Sequence, residues 1–416
     1  MSNSIETTKW QELNPSETSG FNFVPKVFAL HTEYEKYLNL TSIFGTSNPQ
    51  KDQGKRWAAG VKTNHDAFLI SDNKAKLMER ILCFIDNKVT ENELESVFQI
   101  KNGPYWNTER EKQKMINGNW TQNVVPYNYR PFDRRWLLYQ PNLIEIGRGG
   151  ASKFVMYHML HRENFGLCVG RAGQVIGSER WDIIFCSSDV TDTNIFYRGG
   201  AQFFPLYLYP VNNELQLDTN RYHNLNLEFV KAFSEKLGLK FIEDGKGDLR
   251  ETFGPEDIFN YAYAIFHSPT YRNRYAEFLK IDFPRLPLTS DKALFKSLVE
   301  NGSALVSLHL MESLLLNTPI TKYEVKGEHA VDKVSYDEKT QRVYINKKQY
   351  FEGVPLEVWE FHIGGYHVAH KWLKDRKGRT LSYDELAHYQ KIMVALNETI
   401  RLMTEIDSLI IEWPIG

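Results

Sequence analysis

Cysteine is scarce: Cys83, Cys168 and Cys186 are the three in 416 residues, and none belongs to a C-x-x-C pair. So few exclude a disulfide framework, and reduced thiols in a cytoplasmic protein are the plainer reading. Excess charge is missing too, since 50 Lys and Arg stand against 52 Asp and Glu. A histone-like polycation and an acidic tail protein are therefore excluded, whereas a local basic face is not. The densest apolar stretch, Phe203 to Val211, is about half a membrane span long and holds Pro205 and Pro210. The first residues, with Glu6 among them, are polar and lack a signal-peptide core. We therefore expect a soluble, cytoplasmic protein with no membrane partner.

Recognisable catalytic motifs are absent as well. Gly147-Arg148-Gly149-Gly150 and Gly170-Arg171-Ala172-Gly173 are glycine-rich, but neither has the spacing of a dinucleotide fingerprint or a P-loop. Each does place an arginine where the backbone can approach a ligand closely. Asp133-Arg134-Arg135 and Asp282 do not supply the acid-x-Lys pattern of a Mg²⁺ nuclease. No G-x-S-x-G elbow occurs. Asn14-Pro15 and Asn48-Pro49 do not continue into the Asn-Pro-Pro-aromatic loop that holds a flipped base. His158 and His161, and His362, His367 and His370, lack the cysteine or carboxylate support that zinc wants, so we read them as packing histidines. The expectation is an absence of catalytic residues and of a metal site.

What is present is length enough for more than one core, and a change of texture along the chain. Residues 1–120 read as a mixed α/β part, with helices over Lys74–Phe84 and Glu91–Phe98. Residues 121–215 read as a β-rich core. There Trp136–Tyr139, Gly166–Val169, Asp182–Cys186, Asn194–Tyr197 and Phe203–Tyr209 are short runs separated by polar, glycine-containing loops. Residues 216–416 read as mostly helical. Pro255 opens one helix, Ser268-Pro269 opens a short one, and Asp291 to about Leu315 forms another. Phe283–Pro287 must be extended. A small β-meander falls at 331–354, and a capping box of Ser382 with Glu385 opens a long final helix. The predicted fold class is α+β: a β-rich recognition part followed by a helical part with a small meander.

Two basic clusters stand out on this balanced chain. Between Arg130 and Arg180 eight cations face four acids, and Tyr129, Trp136, Phe154, Gln174 and Trp181 are interleaved with them. From Lys371 to Arg379, in a predicted loop, five cations face one acid. Any single charge is most simply a solvated face. Two clusters together point to a groove that follows a nucleic-acid backbone.

Several longer stretches then line up. In order they are Tyr129-Arg130-Pro131-Phe132-Asp133-Arg134-Arg135-Trp136, Val155–Leu160, Asn164-Phe165-Gly166-Leu167, Phe204–Tyr209, Asn260–Ile265, His267–Arg272, Asp282–Pro287 and Ile363–Arg376. In this order they resemble the C-terminal target-recognition region of type ISP restriction–modification enzymes and related large adenine-specific DNA methyltransferases. The resemblance covers most of the chain and takes in Trp10, Phe44 and Val61–Phe68.

The resemblance implies a specificity module for double-stranded DNA, serving an adenine-N6 methyltransferase or a restriction–modification system in phage defence. S-adenosylmethionine is then expected on a partner methyltransferase domain. The chain starts at a methionine near the point where the recognition region begins, so we expect either a free-standing subunit or part of a longer polypeptide. Expected DNA contacts are Arg134, Arg135, Arg148, Lys153, Arg171, Gln174 and Arg180 for bases and nearby phosphates. Lys371, Lys374, Arg376, Lys377 and Arg379 are expected mainly on phosphates. The alternative is a protein-binding scaffold or regulator within a defence locus.

Overall fold

The computed structural model describes residues 28–44, 56–103, 106–140, 143–144, 151–170, 181–197, 200–210 and 221–415. Eight strands build two four-stranded sheets. They are β1 (Ala58–Ala59), β2 (Ile70–Ser71), β3 (Val124–Arg130), β4 (Asp133–Leu138), β5 (Gly166–Val169), β6 (Ile184–Ser187), β7 (Val190–Thr191) and β8 (Gln202–Pro205). One sheet has the order β1-β8-β5-β6 and is antiparallel throughout. The other has the order β2-β4-β3-β7, with β3 and β7 parallel. Every residue of β5 and β6 is buried, which is why continuous apolar runs encode them and alternation does not.

Seven helices carry the rest of the argument: α1 (Lys74–Ile85), α2 (Glu91–Phe98), α3 (Ala151–Tyr157), α4 (Pro255–His267), α5 (Lys292–His309), α6 (Val368–Lys374) and α7 (Tyr383–Leu409). Local chemistry explains their starts. The Asn73 side chain accepts from Lys76 N–H to begin α1, and Leu77, Ile81 and Phe84 form its buried stripe. Thr90 with Glu93 and Ser382 with Glu385 form capping boxes at α2 and α7. Pro255 takes the first position of α4, where its missing N–H costs nothing. A Cβ at Gly302 of α5 would lie 1.9 Å from the carbonyl oxygen of Asn260 in α4, so only glycine lets these two helices cross this closely.

The buried side chains between these elements form one cluster that runs from Tyr34 to Ile415. It contains a polar chain. The Thr399 hydroxyl donates to Ala395 O at 2.7 Å. Its oxygen therefore receives Nε2–H of His309 at 2.9 Å, leaving Nδ1 to accept from the Tyr263 hydroxyl. Cys168 and Cys186 are buried free thiols on β5 and β6, and burial pushes Cys186 up to about 12.

The architecture is the expected mixture of helices and small sheets, and the meander pairs Ser335–Asp337, Arg342–Tyr344 and Tyr350–Glu352. Four local expectations are corrected. Asn194–Tyr197 is a turn and not a strand, because the Asp192 carboxylate accepts from Asn194 N–H and Tyr197 N–H bonds back to Asn194 O. A helix, α3, interrupts the span read as β-rich. The helix from Asp291 ends at His309, and Leu314–Asn317 is a separate 3₁₀ turn. The stretch from Lys371 is not all loop. Val368, Ala369, Trp372 and Leu373 make a buried stripe on α6, which the density of charge hides in the sequence.

Candidate nucleic-acid interface

Strand register brings two loops to one place. Val169, the last residue of β5, is opposite both Ile184 of β6 and Gln202 of β8. The connections 170–183 and 192–201 therefore leave the sheet at the same end. A hairpin of His362–Ile363 with Tyr366–His367 seats against both. Gly364 N–H donates to Asp182 O at 3.3 Å, and Gly365 N–H donates to Phe196 O at 3.2 Å. Gly364 has φ +60°, and a Cβ there would lie 2.8 Å from Phe196 and 2.9 Å from Ile183. Both the backbone and the close approach thus require glycine.

Helix α6 follows this hairpin directly. Its Lys371 ammonium lies 3.9 Å from the ring centroid of Tyr197, on the 192–201 connection. Lys374 and Lys377 are exposed beyond it. Residues 181–183 and 192–197 at the sheet end and the basic stretch from Lys371 therefore share one face, although they lie far apart in sequence.

The remaining cations of that stretch have a different setting. Arg376 Nη2 donates to Asp133 Oδ1 at 2.9 Å, and Arg135 Nη2 donates to Asp133 Oδ2 at 2.7 Å. Arg376 also donates to Trp372 O at 2.9 Å, and its guanidinium lies 3.5 Å from the centroid of that indole. Arg379 pairs with Glu385 at 2.7 Å and with Asp72. Asp133 is fully buried. Burial pushes its carboxyl up, but the guanidiniums of Arg376 and Arg135 outweigh this and hold it well below the usual carboxylate range. The network ties the end of β2 and the start of β4 to the end of α6 and the start of α7. It joins two of the stretches on which the family resemblance rests, Tyr129–Trp136 and Ile363–Arg376.

Strand alternation separates the two arginines beside Asp133. Arg135 shares the inward face with Asp133, whereas Arg134 points outward and makes a two-pronged pair with Asp189 at 2.6 and 3.0 Å. Tyr129, at a bulge in β3, has the guanidiniums of Arg130 and Arg135 each 3.9 Å from its ring centroid. Arg130 also pairs with Asp192 at 3.3 Å. Lys153 is exposed on α3, which packs on the β1 and β8 edge of the sheet. Arg148, Arg171, Gln174 and Arg180 lie outside the described residues.

The histidines have hydrogen-bond or ring partners of their own: His158 Nδ1 accepts from Tyr209 N–H at 3.0 Å, and exposed His161 donates to Gln122 O at 2.9 Å. The His362 ring stacks on His367, with centroids 4.5 Å apart. A cleft of about 600 Å³ lies beside the hairpin and is lined by Asp182, Glu357 and Glu360 as well as Arg272. Its excess of carboxylates makes it a poor place for phosphate, in contrast to the lysines of α6. Sequence reading missed Tyr197 and the Asp133–Arg376 pair. The alternation of Asp133, Arg134 and Arg135 along one strand was the available signal that Asp133 faces inward, but it does not name Arg376.

The family model for the type ISP C-terminal specificity domain matches residues 55–405. No curated protein matches the chain. Among solved structures, the ATP-dependent type ISP restriction–modification enzyme LlaBIII bound to DNA is similar with TM-score 0.65 and 18% identity. That match covers 90% of this chain and 25% of LlaBIII. A nuclease-deletion mutant of the type ISP enzyme LlaGI with a DNA substrate mimic gives TM-score 0.63 and 19% identity, over 96% of this chain and 31% of that one. A DrdV–DNA complex gives 0.61 and 20%, over 85% and 36%. The chain thus spans a quarter of LlaBIII and about a third of the other two.

Proposed function

The chain belongs to the type ISP C-terminal specificity domain family, and from that premise we propose that it reads a short double-stranded DNA sequence for an adenine-specific DNA methyltransferase or a restriction–modification system. The observation that carries the proposal is the shared face. One glycine hairpin seats Asp182, Ile183 and Phe196, at the sheet end, beside the helix that bears Lys371 and Lys374. DNA as partner is supported by the complexes of LlaBIII, LlaGI and DrdV.

The contacts divide by chemistry. Lys371, Lys374 and Lys377 neutralise phosphates and set the register of the duplex. Lys153 does the same from α3. Arg148, Arg171, Gln174 and Arg180 are the proposed base readers, because a guanidinium forks onto guanine and an amide onto adenine. Arg134 joins them by exchanging Asp189, since an exposed ion pair is worth about 1 kcal/mol or less. Arg135 and Arg376 hold the scaffold, and Arg379 is shared between scaffold and rim. We assign no chemistry to the chain itself. Methyl transfer from S-adenosylmethionine belongs to a methyltransferase domain, on the same polypeptide or a separate one.

The test is a fluorescence-anisotropy titration of the full chain with a pool of random duplexes at two salt concentrations. We expect binding at low salt that weakens steeply as salt rises. Failure to bind, both alone and with a methyltransferase partner added, contradicts the proposal and leaves a protein-binding scaffold as the reading.

A further inference from the structure

We infer that Tyr197 is a stacking residue that enters the duplex between bases, with Lys371 holding the flanking phosphate; this rests on the DNA-reading function proposed above. Four observations converge on it. Tyr197 is an exposed aromatic residue, with 37% of its surface accessible, on a loop at the sheet end. Its backbone has φ +76°, a region in which a side chain with a Cβ is strained. Stability alone would favour glycine at such a position, and the chain places Gly199 and Gly200 just beyond it.

The third observation is the support beneath it. Phe196 is fully buried, its carbonyl accepts from Gly365, and Tyr197 N–H donates to Asn194 O at 2.7 Å. The strained residue is therefore anchored from its N-terminal side. The fourth is the ammonium of Lys371, 3.9 Å from the ring centroid. A ring alone could pack on any apolar surface. A ring paired with a surface lysine presents one group for a base face and one for the adjoining phosphate.

The inference is tested with a duplex enriched from the random pool, carrying 2-aminopurine at successive positions. Wild-type chain should raise 2-aminopurine fluorescence at one step, where stacking is broken. Tyr197→Phe, which keeps the ring, should retain that signal. Tyr197→Ala and Tyr197→Gly should abolish it and weaken binding roughly ten-fold, with the salt dependence unchanged. Tyr197→Gly should unfold at the same temperature as wild type or higher, because glycine relieves the backbone; this separates lost stacking from lost folding. Equal affinity and an equal fluorescence step in the glycine variant would overturn the inference while leaving DNA reading intact. Absence of any enriched duplex would overturn both.

Discussion

At the scale of single residues, Asp133 has the largest expected effect on stability. It is a buried carboxylate held by two guanidiniums, and removing its charge leaves buried Arg376 with only the longer contact to Glu385, at 3.4 Å. Asp133→Asn should cost about 3–5 kcal/mol, measured as a lower midpoint of urea unfolding. An unchanged midpoint would mean that the pair is not buried as described. The lysines should behave in the opposite way. Lys374→Ala with Lys377→Ala should leave stability unchanged, weaken binding to every duplex alike, and lower the salt slope by roughly two. Loss of preference at one base position only would contradict their assignment to phosphates.

The buried histidines set the response to pH. Burial, with the nearby Arg272, holds His309 down to about 3, and burial also pushes His267 well below its ordinary value. Folded His309 is therefore neutral where the unfolded chain begins to take up a proton, near pH 6.5. The unfolded state binds more protons below that point, so stability is full above about pH 6.5 and falls as pH drops toward 3. Urea unfolding at pH 7 and pH 5 should show a lower midpoint at pH 5, before most carboxylates titrate. A flat profile over that window would contradict the neutral, Tyr263-bonded form of His309.

At the scale of elements, the glycine hairpin at Gly364 couples the two loops to α6. Gly364→Ala meets both a positive φ and two close side chains, so it should destabilise the fold by about 1–3 kcal/mol. It should also reduce discrimination between duplex sequences more than overall affinity, as anisotropy with an enriched and a scrambled duplex would show. Elements of this kind differ in how far the sequence reveals them. The starts of α4 and α7 were legible because Pro255 and Ser382 act on their own turns. The strand Gly166–Val169 was legible as a short apolar run. Helix α6 was hidden because Lys371 and Lys374 lie within its one short apolar stripe and Asp375, Arg376 and Lys377 follow at once. The Asp133–Arg376 pair joins residues 243 apart, and no local pattern names a partner at that distance. The same holds for the pairing of Tyr197 with Lys371: the sequence places Lys371 among expected phosphate contacts and Tyr197 at the end of a short run, and no local pattern joins the two.

At the scale of the molecule, the division at 120 and 215 that we propose describes texture and not independent folding. Arg379 reaches Asp72, Arg376 reaches Asp133, and Asn39 donates to Asp282 at 3.0 Å. Apolar burial is likewise continuous along the chain. Limited proteolysis should therefore give nicked chains that stay associated on a sizing column, not three stable pieces that separate. Release of a folded 216–416 fragment would count against this linkage.

The most direct test of the account is selection from random duplexes, with sequencing of the fraction that the full chain retains at moderate salt. Enrichment of one short motif is the predicted result. Changes at Arg134, Arg171, Gln174 or Arg180 should then relax single positions of that motif, while Lys374→Ala with Lys377→Ala should lower retention and leave the motif intact. Retention of all sequences equally would contradict the central claim that this face reads DNA sequence.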